Sequence, residues 1–171
     1  MKGEYEISGL EEVYRDDIKH IEQLKEGDLL YSICPIYVNP VEQIKTKLFQ
    51  RSIMAHENAR KRGVNVKRVY IFGSQAQHEQ IQHELIRQAN IFEVYIVNKN
   101  DPEFANLFPG GIPDFLLFNT HKASIGRVSE GSVGSTRVTS DKSKIDQHFS
   151  KFDKLIQQSV KIDLSNKNGF C

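Results

Sequence analysis

The run DLLYSICPIYV, residues 28–38, constrains this chain more than any other stretch. Its apolar residues are nearly continuous, so a strand formed here has to be buried on both faces. Such a strand needs cover above and below, and the flanking sequence supplies it. Residues 10–26, LEEVYRDDIKHIEQLKE, carry Leu10, Val13, Tyr14, Ile18, Ile21 and Leu24 at three-to-four spacing, an amphipathic helix ended by Gly27. After the run, Asn39 can cap a helix and Pro40 suits its first position. That helix is expected to run to about Arg62, with Val41, Ile44, Leu48, Ile53, Met54 and Ala59 near its inner stripe and Gly63 closing it.

The alternation continues. VNVKRVYIF (64–72) is a β-branched and aromatic strand, residues 75–89 a helix, and IFEVYIV (91–97) a third strand. NKNDPEFANLFPGGIP (98–113) is a long loop and a candidate lid or binding loop. DFLLFN (114–119) is a short strand, and KASIGRVS with SVGSTRVTS reads as a hairpin turning at Glu130-Gly131. Residues 141–160 close the chain as a helix with Ile145, Phe149, Phe152, Leu155 and Ile156 inward. Strands alternating with helices require crossovers and a parallel core, to which the later strands add an antiparallel meander. The expected class is α/β: a single domain with a mixed sheet between helical layers. Residues 1–27 hold the N-terminal amphipathic helix, 28–162 the α/β domain and 163–171 a flexible tail.

Charge and cysteine content narrow the function classes. With 23 basic and 22 acidic residues the net charge is +1, which gives no electrostatic reason to expect nucleic acid as a partner. The cluster Arg60, Lys61, Arg62, Lys67 and Arg68 reads as a solvated helix end and the polar face of the next strand. Cys34 lies in an apolar run and reads as a small buried hydrophobe, while Cys171 ends a polar tail. Two cysteines make no disulfide framework, and no run approaches the ~18 apolar residues of a membrane span, so a cytoplasmic location without membrane association is expected.

The passage ENARKRGVNVKRVYIF (57–72), a helix ending in Arg-Gly with a buried strand beginning at once, resembles phospholipase D-like domains. The element order over residues 25–160 is similar to that family's as well. The resemblance implies a phospholipase D-like fold and, in its second half, the signature H-x-K-x4-D-x6-G-S. On a strand, positions i and i+2 project together. In the family the histidine attacks phosphorus, the lysine neutralises phosphate oxygens, and the acid or amide five positions on orients groups in the site.

That signature is not intact here. The six histidines are His20, His56, His78, His83, His121 and His148, and two positions after each stand Glu22, Asn58, Gln80, Leu85, Ala123 and Ser150. None is lysine. On the expected strand the register puts Ile112 at the histidine, Asp114 at the lysine, Asn119 at the acid and Gly126 at the glycine. An apolar residue thus replaces the nucleophile, and a carboxylate, which repels phosphate, replaces the cation.

The resemblance therefore implies a non-catalytic module acting in binding, sensing or homodimerisation, with Asp114, Asn119, Gly126 and Ser135 as candidate ligand-binding residues. A small phosphate-containing ligand is a candidate partner, and a symmetric dimer with residues 112–127 near its two-fold axis is expected. The alternative is a phosphodiesterase or nuclease with a rearranged site built from His121, Lys122, Asp114, Asn119 and His148. On a strand His121 and Lys122 point to opposite faces; in a turn both can reach one ligand. Neither metal nor cofactor is expected: in HEQIQH (78–83) the histidines lie five apart, about 140° around a helix, and do not chelate one ion. GSVGST (131–136) can form an anion nest or a plain hairpin turn. Phe104, Phe108, Phe115 and Phe118 either line a pocket or anchor the long loop.

Overall fold

The computed structural model describes residues 4–36, 39–109, 111–129 and 132–163. The chain runs through β1 (Tyr5–Ser8), α1 (Leu10–Gln23), β2 (Leu29–Pro35), α2 (Pro40–Lys45), α3 (Lys47–Lys61) and β3 (Asn65–Phe72). It continues through α4 (Gln75–Ala89), β4 (Glu93–Asn98), α5 (Pro102–Leu107) and β5 (Pro113–Phe118). β6 (Lys122–Ser129), β7 (Ser132–Thr139), α6 (Lys142–Gln158) and β8 (Val160–Lys161) complete it. The strands form one mixed sheet in the order β1-β7-β6-β5-β2-β3-β4-β8. β2, β3 and β4 are parallel, whereas β5, β6, β7 and β1 extend the sheet antiparallel on one side. Among the described residues, no helix is long and apolar enough to cross a membrane.

Period-two alternation sorts the central strands onto two cores. Leu30, Cys34, Val66, Tyr70 and Phe72 pack against Ile21 of α1, Phe49 and Ile53 of α3, and Leu85 of α4. Tyr31, Ile33, Val69 and Ile71 face the other way, onto Phe104 of α5 and Ile145, Phe152 and Leu155 of α6. Every position of β2 after Leu29 is buried, as a central strand requires.

Three features depart from the sequence expectation. The helix expected from Pro40 to Arg62 is two, because Thr46 adopts an extended ψ of 142° and its side chain accepts from the Phe49 amide at 3.2 Å. A side-chain cap at that point substitutes for the helical hydrogen bond and starts α3 anew. The long loop contains α5, capped by Asp101 with Pro102 in its first turn and anchored by Phe104 and Phe108, whose rings lie 5.1 Å apart. β1 and β8 are short edge strands, too brief and too exposed to carry a hydrophobic pattern. The hairpin turn at Glu130-Gly131 and the tail from 164 lie outside the described residues.

The ends of α1 and α3 are tied together. Arg62 donates to the Leu24 carbonyl at 3.3 Å and the Ile21 carbonyl at 2.8 Å, satisfying acceptors that the end of α1 leaves open. Gly63 follows at φ 88°, and an added Cβ would stand 2.8 Å from Glu26 Cγ. Gly63→Ala is therefore expected to destabilise the protein by ~1–2 kcal/mol, from the left-handed backbone plus that contact, as read by urea denaturation.

Candidate functional site

The face of the sheet under α1, α2 and α3 is not filled to the end. A cavity of about 510 Å³ lies there, floored by β2, β3, β5, β6 and β7 and roofed by the three helices. Strand register explains its floor. One row across the sheet runs Thr136–Gly126–Asp114, and the next runs Ser124–Leu116–Ser32–Arg68. The β2–β5 ladder covers three pairs, from Leu30–Phe118 to Ser32–Leu116, and stops short of Cys34 and Asp114. The lining sets apolar residues of α1 and α3 (Val13, Leu48) beside a polar set: Tyr14, Asp17, Ser52, His56, Arg68 and Asp114.

Arg68 dominates this set. It is 5% exposed, on the same parity of β3 as buried Val66 and Tyr70. Its guanidinium carbon stands 5.4 Å from the Phe49 ring and 5.2 Å from the Tyr70 ring. Its Nη1 lies 3.4 Å from His56 Nε2, and His56 Nδ1 lies 2.8 Å from the Ser52 carbonyl. The carbonyl fixes the tautomer: Nδ1 carries the proton and Nε2 is left to accept from Arg68. Burial, then the neighbouring guanidinium, pushes the His56 pKa down to about 3, so this imidazole is neutral. Among the described residues no carboxylate lies within 4.0 Å of Arg68, and its Nε has no partner.

Two carboxyls occupy the other side of the cavity. Asp17 of α1 is 8% exposed and bonded to Ser124, yet its Oδ1 is unpartnered. Burial pushes its pKa up to about 7 against the Ser124 bond, with Asp114 and Asp16 adding to the rise. Burial likewise raises Asp114 to about 6, with Arg68 pulling in the opposite direction. The Ser32 hydroxyl, on the floor between the two charge types, is a third buried group without a partner. The cavity thus gathers Arg68, Asp17, Asp114 and the Ser32 hydroxyl within largely apolar walls, with Glu42 also in its lining.

The residues expected from sequence are dispersed. Asp114 and Gly126 line the cavity, and a Cβ on Gly126 would stand 3.2 Å from the Asp114 carbonyl oxygen. Ile112 does not share their space: it precedes β5 and packs against the α5–α6 cluster. Asn119 lies at the far end of β5, in the turn to β6, at φ 60° with its amide nitrogen donating to Asp28 at 2.7 Å. Five residues of strand separate it from Asp114, roughly 17 Å. His121 is exposed in that same turn. Lys122 turns instead to α1, its Nζ 2.8 Å from His20 Nε2, while His20 Nδ1 lies 3.3 Å from Asp16. Burial, then Lys122, lowers the His20 pKa. His148 is on the opposite face of the sheet, edge-on to Phe115 at 5.1 Å. The Ser135 backbone pairs with Ser8; its side chain lies outside the described set. The four phenylalanines are all core residues, Phe118 on one face and the other three on the other.

Sequence reasoning missed Arg68, His56 and Asp17. Arg68 was expected on a solvated polar face, and the structure corrects this: a cation on the apolar parity of a central strand is buried with that parity. The usable signal was its place in V-x-R-x-Y, two residues from an apolar neighbour on either side. No group of three or more metal-ligating side chains occurs among the described residues.

No protein-family model and no curated protein matches the sequence. Solved structures do match in fold. Nuc from Salmonella typhimurium, a phospholipase D family member, superposes with a TM-score of 0.63 at 11% identity over 95% of this chain and 99% of its own. NucT from Helicobacter pylori gives 0.61 at 14% identity over 95% and 100%. TrmBL2, an archaeal chromatin protein with a novel mode of DNA binding, gives 0.61 at 10% identity over 93% of this chain; this chain spans 53% of TrmBL2. The chain has a phospholipase D-like fold.

The raised carboxyl of Asp17 makes a signed expectation. Its neutral form favours the folded state below the ordinary carboxyl range, and that contribution is lost as pH rises through about 7. Asp17→Asn is therefore expected to match the wild type near pH 4 and to be the more stable protein at pH 8, by ~2–4 kcal/mol. Urea denaturation of both proteins at the two pH values reads this difference, and a gap that does not change with pH would refute it.

Proposed function

From a phospholipase D-like fold with Ile112 at the nucleophile position and Asp114 at the cation position, we infer a non-catalytic module that works by binding. The observation that carries this reading is the replacement itself. Without an imidazole to attack phosphorus and an ammonium group to hold its oxygens, the hydrolysis of this fold has no means to start. The residues of the rearranged alternative argue the same way: His121 is exposed, Lys122 is engaged by His20, and Asp114 lies at the other end of β5. What stands in its place is an open-mouthed cavity within the roughly 300–1,000 Å³ of small-molecule sites. A chromatin protein among the structural neighbours supports the idea that this fold serves purposes other than phosphodiester cleavage.

The expected outcome with bis-p-nitrophenyl phosphate and single-stranded DNA is a rate equal to the buffer background, with or without chelator. Turnover that His121→Ala abolishes would overturn the reading in favour of a nuclease. Homodimerisation through the region of residues 112–127 belongs to the same proposal, since active domains of the resembling family pair along this strand. Light scattering at tens of micromolar (order of magnitude) should return the dimer mass, and a monomer there would count against this part.

A further inference from the structure

The cavity under α1–α3 carries its own statement about what fills it, resting on the binding reading above. Its charged lining is unequal: Arg68 is the cation, against Asp17, Glu42 and Asp114. A plain anion drawn to Arg68 enters a space lined by excess acid. A plain amine drawn to the carboxyls faces a desolvated guanidinium and leaves it unneutralised. Arg68 and Asp114 act on each other across the cavity without forming an ion pair, so the opposite charges are held apart. Separated charges in an apolar enclosure are matched by a ligand with the reverse pair of charges.

We propose that this cavity binds a small zwitterion, a molecule of the amino-acid class whose carboxylate meets Arg68, whose ammonium meets Asp17 or Asp114, and whose apolar body packs on Val13, Leu48 and Leu116. Four observations converge on it. Arg68 Nε is a buried donor without an acceptor, and Asp17 Oδ1 is a buried acceptor without a donor. The Ser32 hydroxyl, also unpartnered, lies in the same row of the sheet as Arg68 and Ser124, the residue bonded to Asp17. Neutral His56, also in the cavity wall, contacts Arg68 without supplying a counter-charge. The Phe49 and Tyr70 rings, with centroids 5.4 and 5.2 Å from the guanidinium carbon, hold the cation at this place in the wall.

The test is calorimetric titration of the whole protein with four probes. L-Leucine and 6-aminohexanoate carry both charges, close together or well separated. 4-Methylpentanoate and 3-methylbutylamine are leucine without its ammonium or without its carboxylate. At least one zwitterion should bind at least ~10-fold more tightly than either singly charged probe. Arg68→Met, and at least one of Asp17→Asn and Asp114→Asn, should weaken that binding by ~10-fold or more, because each removes a counter-charge. Should Arg68→Met fail to fold, Arg68→Lys, which keeps the charge and loses the planar fork, should still weaken it. Leu48→Trp, which narrows the cavity without touching charge, should lower affinity for the same probe. Equal binding of singly charged probes, no binding of any probe up to ~10 mM, or unchanged affinity in both Asp17→Asn and Asp114→Asn would each overturn the proposal. None of these outcomes bears on phosphodiester turnover, so failure here leaves the non-catalytic reading standing, and turnover would leave the ligand site standing.

Discussion

A strand buried on both faces has no solvent side on which to put a polar residue cheaply, and β2 and β3 are such strands. This constraint organises the molecule. Their alternating side chains create two separate cores, one shared with α1, α3 and α4 and one with α5 and α6. Ser32 and Arg68 on these strands are consequently buried and need partners. Arg68 is the extreme case, since a guanidinium in apolar surroundings is tolerated only when its environment returns much of what water supplied. Phe49, Tyr70 and His56 return part of it.

The same constraint connects architecture to function. β5 lies beside the central strands, paired antiparallel to β2. Asp114 faces the cavity shared with Arg68, whereas Ile112 packs on the opposite core. Ile112 and Asp114, two positions apart, are thus divided between a hydrophobic contact and a polar chamber. The chamber is assembled across five strands and three helices.

Much of the scaffold was legible from local pattern. Helix α4 and strand β6 have the limits that periodicity and turn residues implied, and the α/β class followed from the alternation of elements. Legibility failed where a single side chain outweighed the pattern. Thr46 splits the helix at 40–62 by capping α3, a choice the apolar stripe does not register. Asn119 sits at the acid position of the motif spacing, yet it serves the turn: its positive φ suits asparagine, and Asp28 holds its amide.

The sequence by itself determined the fold class and the absence of an intact H-x-K pair. Both rest on short-range facts: spacing of apolar residues, and the identity of residues two and five positions apart. Which polar residues meet was decided by the tertiary structure alone. Asp17, His56, Arg68 and Asp114 come from four different elements, and only sheet register and the packing of α1 and α3 over it bring them round one cavity. Register and packing are long-range outcomes of burying both faces of the sheet, and no local window of sequence contains them.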